Sequence, residues 1–251
     1  MTLPEAVGEL VLRGRVMPAS NATFICQLGE LQVVYKPVRG EQPLWDFPDG
    51  TLAEREYAAY LVSEALGWDV VPPTVLRDGP HGVGMVQEWK EPDPALAPVD
   101  IVARGELPEG FLHVFDAEDG AGRPVALVHE ESEPLRRMAI FDAVINNGDR
   151  KGGHVLAMAD GHRYGVDHGV AFHVEPKLRT VLWGWAAEPL RADEIAAVRR
   201  LADDGELRER LFELLTVSEV EQFGVRCREL VADGVFPLPD GSWPAIPWPA
   251  F

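Results

Sequence analysis

Between Asn146 and Gly169 the chain reads NNGDRKGGHVLAMADGHRYGVDHG, with three acidic residues, three histidines, one lysine and two arginines among six glycines. Asp160-Gly161 is a two-residue turn signal between HVLAMA and HRYGVD, so the stretch predicts a β-hairpin. With those residues at the turn, Ala159 faces His162, Met158 faces Arg163, Leu156 faces Gly165 and His154 faces Asp167. An imidazole and a carboxylate then stand side by side at the open end, and Asp149 lies just before it on a loop loosened by Gly152 and Gly153. Two carboxylates and an imidazole can hold a divalent cation. Lys151 adds a positive charge that suits a phosphate-bearing ligand. The competing reading is a solvated hairpin whose polar side chains do no chemistry.

The order Asp149-x-Lys151-x-x-His154, followed by Asp167-His168-Gly169, resembles the catalytic loop and metal-binding motif of the protein-kinase-like superfamily. The stretch GDRKGGH…VDHG is most similar to the phosphatidylinositol 3/4-kinase-like and HipA-type branch, in which an Asp-Arg pair in the loop is typical. The resemblance spans about residues 8–235 and takes in the small actinobacterial proteins of phosphatidylinositol 3/4-kinase-like type. It implies ATP as cofactor, with Mg²⁺ or Mn²⁺. Asp149 would act on an acceptor hydroxyl, and Lys151 would neutralise charge on the transferring phosphoryl group. His154 and Asp167 would hold the metal. His154 stands where the family pattern has Asn, and imidazole suits Mn²⁺ better than Mg²⁺.

The same resemblance assigns parts to the first third of the chain. Lys36, one of only four lysines, ends the third strand-like run and would reach the phosphates. Glu56 would pair with it, because Glu54 is engaged by a helix cap. The loop MPASNAT lacks the glycines of a protein-kinase loop and resembles the Ser/Asn type, so Ser20, Asn21 and Thr23 would hold phosphate oxygens. Gln87, Glu88 and Trp89 would form the hinge that meets adenine through the backbone. For Glu56 and the hinge, the plain alternatives are a solvated helix residue and a buried strand end. Cys26 and Cys227 read as reduced thiols in or near the core, and His162, His168 and His173 as structural or loop residues.

Several elements must position these groups. ELVLRGRV (9–16), ATFICQL (22–28) and LQVVYKP (31–37) predict an antiparallel meander. GEQPLWDFPDG (40–50) reads as loop, and Thr51 with Glu54 marks a capping box for a helix ending at Gly67. TVLRDG and GVGMVQEW predict two further strands. Residues 90–110, Pro-rich and acidic, read as a connection to a second lobe. A helix starts at Ser132, and helices are predicted at about 192–203, 205–215 and 218–233, the last with a capping box from Ser218 to Glu221. The tail FPLPDGSWPAIPWPAF predicts an extended segment whose aromatic side chains pack on the body. The expected fold is α+β and two-lobed, protein-kinase-like. Residues 1–90 would form an N-lobe of small antiparallel sheet plus helix, and residues 91–251 a mainly helical C-lobe.

Composition narrows the partners. The 251 residues carry a formal net charge of -18, which opposes binding to nucleic acid or to an anionic membrane through the overall field. No basic amphipathic helix supports stable membrane association. The start MTLPEAVGEL lacks the features of a signal peptide, and no run reaches the ~20 apolar residues of a membrane span, so a cytoplasmic location is expected. The expected partners are a nucleotide and a hydroxyl-bearing acceptor, a protein or a small molecule, with autophosphorylation included. The oligomeric state is open. A nucleotide-binding pseudokinase or interaction module without catalysis is the second reading. A metal-dependent hydrolase is the third, weakened by the lack of an H-x-H-x-D-H or H-E-x-x-H motif.

Overall fold

Short apolar runs rich in Val, Ile and Leu form the strands of the first third of the chain. A computed structural model describes residues 3, 8–16, 21–47, 50–239, 241 and 244–251. Strands β1 (Leu10–Arg15), β2 (Phe24–Leu28), β3 (Leu31–Pro37), β4 (Thr74–Gly79) and β5 (Gly82–Glu88) form an antiparallel sheet in the order β1-β2-β3-β5-β4. Val33 and Tyr35 are fully buried in a small core with Leu10, Cys26, Leu28 and Val86. The two-residue period of β3 therefore turns Lys36 to the opposite face.

Helix α1 (Leu52–Leu66) begins where the capping box was expected. The Glu54 amide donates to Thr51 Oγ1 at 3.1 Å, and the Thr51 amide donates to Glu54 Oε2 at 2.9 Å. The Glu41 carboxylate accepts from the Leu52 and Ala53 amides, both at 2.9 Å, so the first turn leaves few donors unmet. Gly67 closes the helix in the left-handed region at φ 68. This start fixes Arg55 and Glu56 as buried, inward-facing residues.

The stretch expected to be a bare connection holds structure. Strand β6 (Val99–Ala103) pairs with β8 (Pro124–Glu130), which pairs with β7 (Phe111–Glu118), in a three-stranded antiparallel sheet. The second half is thus mainly helical but opens with a sheet of its own. Helix α2 (Glu133–Ile145) starts at the expected Ser132 cap. The hairpin strands β9 (Val155–Ala157) and β10 (Arg163–Gly165) follow, then α3 (Ala192–Ala202), α4 (Gly205–Phe212) and α5 (Val217–Asp233). The cap of α5 is Thr216 with Glu219, two residues before the expected pair Ser218 and Glu221. A large apolar core joins α1, α2, α3 and α5 around Leu61, Val62, Ile140, Phe141, Val198 and Phe223. The expected packing of the tail aromatics holds only in part: Phe236 is buried, Phe251 half-exposed, and Trp248 is 87% exposed. The α+β class with a small sheet-plus-helix part and a mainly helical part is what the chain adopts. No helix among the described residues is long and apolar enough to cross a membrane.

Candidate active site

Lys36 stands at the centre of the polar groups. Its Nζ lies 2.5 Å from Glu56 Oε1 and 2.8 Å from Asp167 Oδ1. The sheet, α1 and the hairpin each supply one member, and Glu56 also accepts the His168 amide at 3.1 Å. Burial alone would lower the pKa of the Lys36 ammonium. The two carboxylates outweigh it and hold the group above its ordinary value. Lys36 in turn holds the Asp167 carboxyl well below the usual carboxylate range, against the effect of desolvation. Glu56 moves the other way: desolvation raises it, with repulsion from Asp167 opposing the pull of Lys36.

The hairpin has a register one residue away from the expectation. Arg163 pairs with Ala157, Tyr164 with Leu156 and Gly165 with Val155, and the Val166 amide donates to the His154 carbonyl at 3.0 Å. The turn is longer than Asp160-Gly161. The Met158 amide donates to the His162 carbonyl at 2.9 Å, Asp160 Oδ1 accepts the His162 amide at 2.9 Å, and Gly161 has φ 93. This is a three-residue loop with a left-handed glycine. A one-residue slip should turn Asp167 to the other face. Asp167 instead adopts φ 64 just after the strand, and its Oδ2 lies 3.4 Å from His154 Nε2. The two expected ligands meet through a backbone turn rather than through strand pairing.

The tautomer of His154 decides what that pair can do. Its Nδ1 lies 2.9 Å from the Asp149 carbonyl oxygen, so Nδ1 carries the hydrogen. Desolvation, reinforced by Arg150 and Lys151, lowers the imidazole pKa against the pull of Asp167 and Asp149. In neutral His154, Nε2 therefore presents a lone pair toward a carboxylate oxygen. Two acceptors facing each other with no proton between them fit a shared cation, and one nitrogen with one oxygen suits Mn²⁺ at least as well as Mg²⁺. Among the described residues no three His, Cys, Asp or Glu side chains converge on one point, so a cation here needs further ligands from its partner molecule.

Asp149 and Lys151 sit on the loop before the hairpin, with Lys151 Nζ 3.1 Å from Asp149 Oδ2. Asn147 Oδ1 accepts the Asp149 amide at 3.0 Å, and Asn147 Nδ2 donates to Asp142 Oδ1 at 2.9 Å. Beneath them Arg150 is fully buried. Its guanidinium binds both oxygens of the equally buried Asp142 and donates to the His154 and Val166 carbonyls at 3.2 and 3.1 Å. Arg150 Nη2 also reaches His168 Nε2 at 2.6 Å, so that nitrogen accepts and His168 is neutral; desolvation and Arg150 hold its pKa well below the ordinary value. A Cβ on Gly165 would lie 2.8 Å from Arg150 Nη2, so a side chain there would displace the clamp. Asn146 ties down the segment after the hairpin: its Nδ2 donates to the His173 and Glu175 carbonyls at 2.9 and 2.7 Å, and its Oδ1 accepts the Lys177 amide at 2.9 Å. Asp142, Asn146 and Asn147 were not among the expected site residues. The available signal was Asp142, a carboxylate inside the apolar run MAIFDAVIN, where burial demands a partner.

The remaining expected residues make their polar contacts elsewhere. Asn21 Oδ1 accepts the Gln42 amide at 2.8 Å, and Thr23, nearly buried, donates to the Asn21 carbonyl at 3.4 Å. Ser20 lies outside the described residues. Gln87 is buried and its side chain donates to Thr74 Oγ1 at 2.9 Å. The Glu88 and Trp89 amides already donate to the Pro73 and Gln32 carbonyls at 2.9 and 3.0 Å, so neither is free to meet a base edge. Glu88 takes Lys90 at 2.7 Å. A shallow depression of about 380 Å³ between Glu91–Pro94 and residues 158–160 carries three carboxylates and no cation, which makes it a poor phosphate site.

The fold and this centre define a class: an α+β protein in which a sheet and its helix present a lysine–glutamate pair to the loop and hairpin of a mainly helical half. The chain belongs to the family of the Mycobacterium tuberculosis protein Rv2133c, with 51% identity over 261 aligned positions that cover 98% of this chain and 94% of that one. No family model matches it. Among solved structures, the crystal structure of the Helicobacter pylori proinflammatory kinase CtkA is similar over 91% of this chain and 93% of that one, with a TM-score of 0.49 and 12% identity.

Proposed function

We propose that the chain is an ATP-dependent phosphotransferase of protein-kinase-like type, acting on the hydroxyl of a protein or small molecule, its own side chains included. The observation that carries this reading is Lys36 held at 2.5 Å from Glu56 and 2.8 Å from Asp167. A positioned lysine, a glutamate that fixes it and a metal-ready carboxylate are the parts that phosphoryl transfer requires. Lys36 would hold phosphate oxygens. Asp149 would accept the proton of the acceptor hydroxyl, and Lys151 would swing from Asp149 to neutralise the transferring group. A divalent cation between His154 and Asp167 would neutralise charge along the phosphate chain. Asn21 and Thr23, with Ser20, remain candidates to line the phosphate end. The base edge would be met beyond the engaged Glu88 and Trp89 amides, at Lys90 and Glu91.

The Asp149-Arg150 pair favours the phosphatidylinositol 3/4-kinase-like branch as the nearer relation, without a lipid acceptor. The net charge of -18 speaks against an anionic membrane or a nucleic acid as partner and, with the two reduced cysteines, for a cytoplasmic setting. Residues 1–90 and 91–251 would be the two lobes. The second reading, a nucleotide-binding pseudokinase, is favoured by His154 in place of the family's asparagine. Incubation with labelled ATP and Mg²⁺ or Mn²⁺ separates the readings. Transfer of label that is lost in Asp149→Asn, with nucleotide binding kept, supports the phosphotransferase. Binding without transfer supports the pseudokinase, and absence of ATP binding overturns both.

A further inference from the structure

The segment 244–251 crosses the loop that carries Asp149 and Lys151. At one end the Ala245 carbonyl accepts the Thr180 amide at 3.0 Å and Trp183 Nε1 at 2.8 Å. Thr180 itself forms a bridge with Arg150, the residue clamped beneath the loop. At the other end the Ala250 carbonyl accepts the Gly152 amide at 2.8 Å, and Ala250 is buried in the main core. Phe251 then lies against Gly152. A Cβ on Gly152 would fall within 2.9 Å of three carbons of the Phe251 ring. Gly152 shows no left-handed φ, so the lack of a side chain there serves the ring and not the backbone.

Gly152 opens the short helical turn Gly152–His154, and that turn aims His154. His154 Nδ1 is fixed by the Asp149 carbonyl at 2.9 Å and Nε2 points to Asp167 at 3.4 Å, so a small shift of the turn separates the two candidate ligands. We propose that segment 244–251 is a brace for the catalytic loop, in which Phe251 and Ala250 act as positioning residues that seat the Gly152–His154 turn and so keep His154 facing Asp167. The role in metal-assisted nucleotide binding rests on the phosphotransferase reading; the seating of the turn does not.

The test is a cycle of Gly152→Ala, Phe251→Ala and the double variant, read two ways. Amide hydrogen exchange over residues 150–157 reports the seating. Phe251→Ala should speed exchange at Gly152–His154 about tenfold, with little change in α2. Calorimetry with ATP, with and without Mn²⁺, reports the consequence. Gly152→Ala should lower affinity for Mn²⁺–ATP about tenfold while leaving metal-free ATP within about twofold, because overpacking shifts the turn and not Lys36. Phe251→Ala should itself weaken Mn²⁺–ATP binding, and the double variant should lose no more than Phe251→Ala alone, because the clash is absent once the ring is gone. Unchanged exchange in Phe251→Ala overturns the brace. So do a double variant whose loss is the sum of the two single losses, or equal losses with and without metal. If the wild-type protein binds no ATP, the phosphotransferase reading fails, and the exchange data for the three variants still decide whether the ring seats the turn.

Discussion

Lys36 is shared between two carboxylates, and its replacement separates binding from folding. The side chain makes its bonds to Glu56 and Asp167 and takes no part in the small core of Val33, Tyr35 and Val86. Lys36→Ala spares that core but leaves the buried Glu56 without its counter-charge, so it should fold with reduced stability and lose nucleotide affinity by about 1.5–3 kcal/mol, roughly 10- to 150-fold, as expected for a charge-assisted contact. Calorimetry on the folded variant checks this, and equal affinity would remove Lys36 from the site. In the proposed site His154 would set the metal preference. As a neutral imidazole with its Nε2 lone pair toward Asp167, it should make Mn²⁺ at least as effective as Mg²⁺ in supporting ATP binding. His154→Asn restores an oxygen ligand and should shift preference toward Mg²⁺. Parallel Mg²⁺ and Mn²⁺ titrations of wild type and variant decide it; an unmoved ratio means that His154 only caps the turn. Glu56 was legible because the resemblance called for a glutamate on the helix after Lys36 and the cap consumed Glu54. The engaged Glu88 and Trp89 amides were not, because no local pattern shows which carbonyl a strand end will meet.

Arg150 clamps the mouth of the hairpin to α2. Arg150 binds Asp142 of α2 and the carbonyls of His154 and Val166, one on each side of the hairpin mouth. Arg150→Met leaves Asp142 charged, buried and unpaired, and should cost about 3–5 kcal/mol. Combining it with Asp142→Leu should return part of that loss, because an apolar pair replaces an ionic one. Urea unfolding of the three variants checks both statements, and a loss under about 1 kcal/mol in the single variant removes the clamp. Elements with strong local rules were readable: the meander, the Thr51 box of α1 and the Ser132 start of α2. Where two local rules compete, the sequence pattern alone does not decide between them. Asp160-Gly161 promised a two-residue turn, but the Asp160 side chain and Gly161 build a three-residue one. Thr216 and Ser218 both offer a box, and only Thr216 is used. β6 was hidden because prolines and acids on either side of VDIVA masked five residues of strand.

Contacts between distant parts of the chain assemble the site; only the resemblance placed Lys36 with Glu56 and Asp167, and no local pattern marked Arg55 with Glu219. Arg55 of α1 reaches Glu219 of α5 at 2.6 Å, and Lys36 of β3 reaches Asp167 across 131 positions. The buried His129 joins the second sheet to the turn at Trp183–Trp185: its Nε2 accepts the Gly184 amide at 3.0 Å, and its Nδ1 faces the Glu130 carbonyl at 2.9 Å. Desolvation lowers its pKa, with only the Glu130 contacts raising it. The neutral form is therefore the folded form. Its contribution is complete above the unfolded value of about 6.5 and is lost as pH falls below that toward the folded pKa, with a slope of at most about 1.4 kcal/mol per pH unit. His168, buried and shifted the same way, adds to the trend. His129→Gln keeps an acceptor for Gly184 and does not titrate, so melting curves between pH 8 and 5 should be flatter for it than for wild type. Parallel curves would show that His129 is not among the groups that set acid stability.

The ion pair between Lys36 and Asp167 also couples the two ligands of the proposed site. A phosphate chain can draw the ammonium away only by leaving Asp167 without its counter-charge. A cation at Asp167 removes that cost, so metal and nucleotide should bind synergistically, each raising the affinity of the other by the same factor. In the proposed reading the unliganded protein is latched by its own charges, and metal-free ATP should bind weakly.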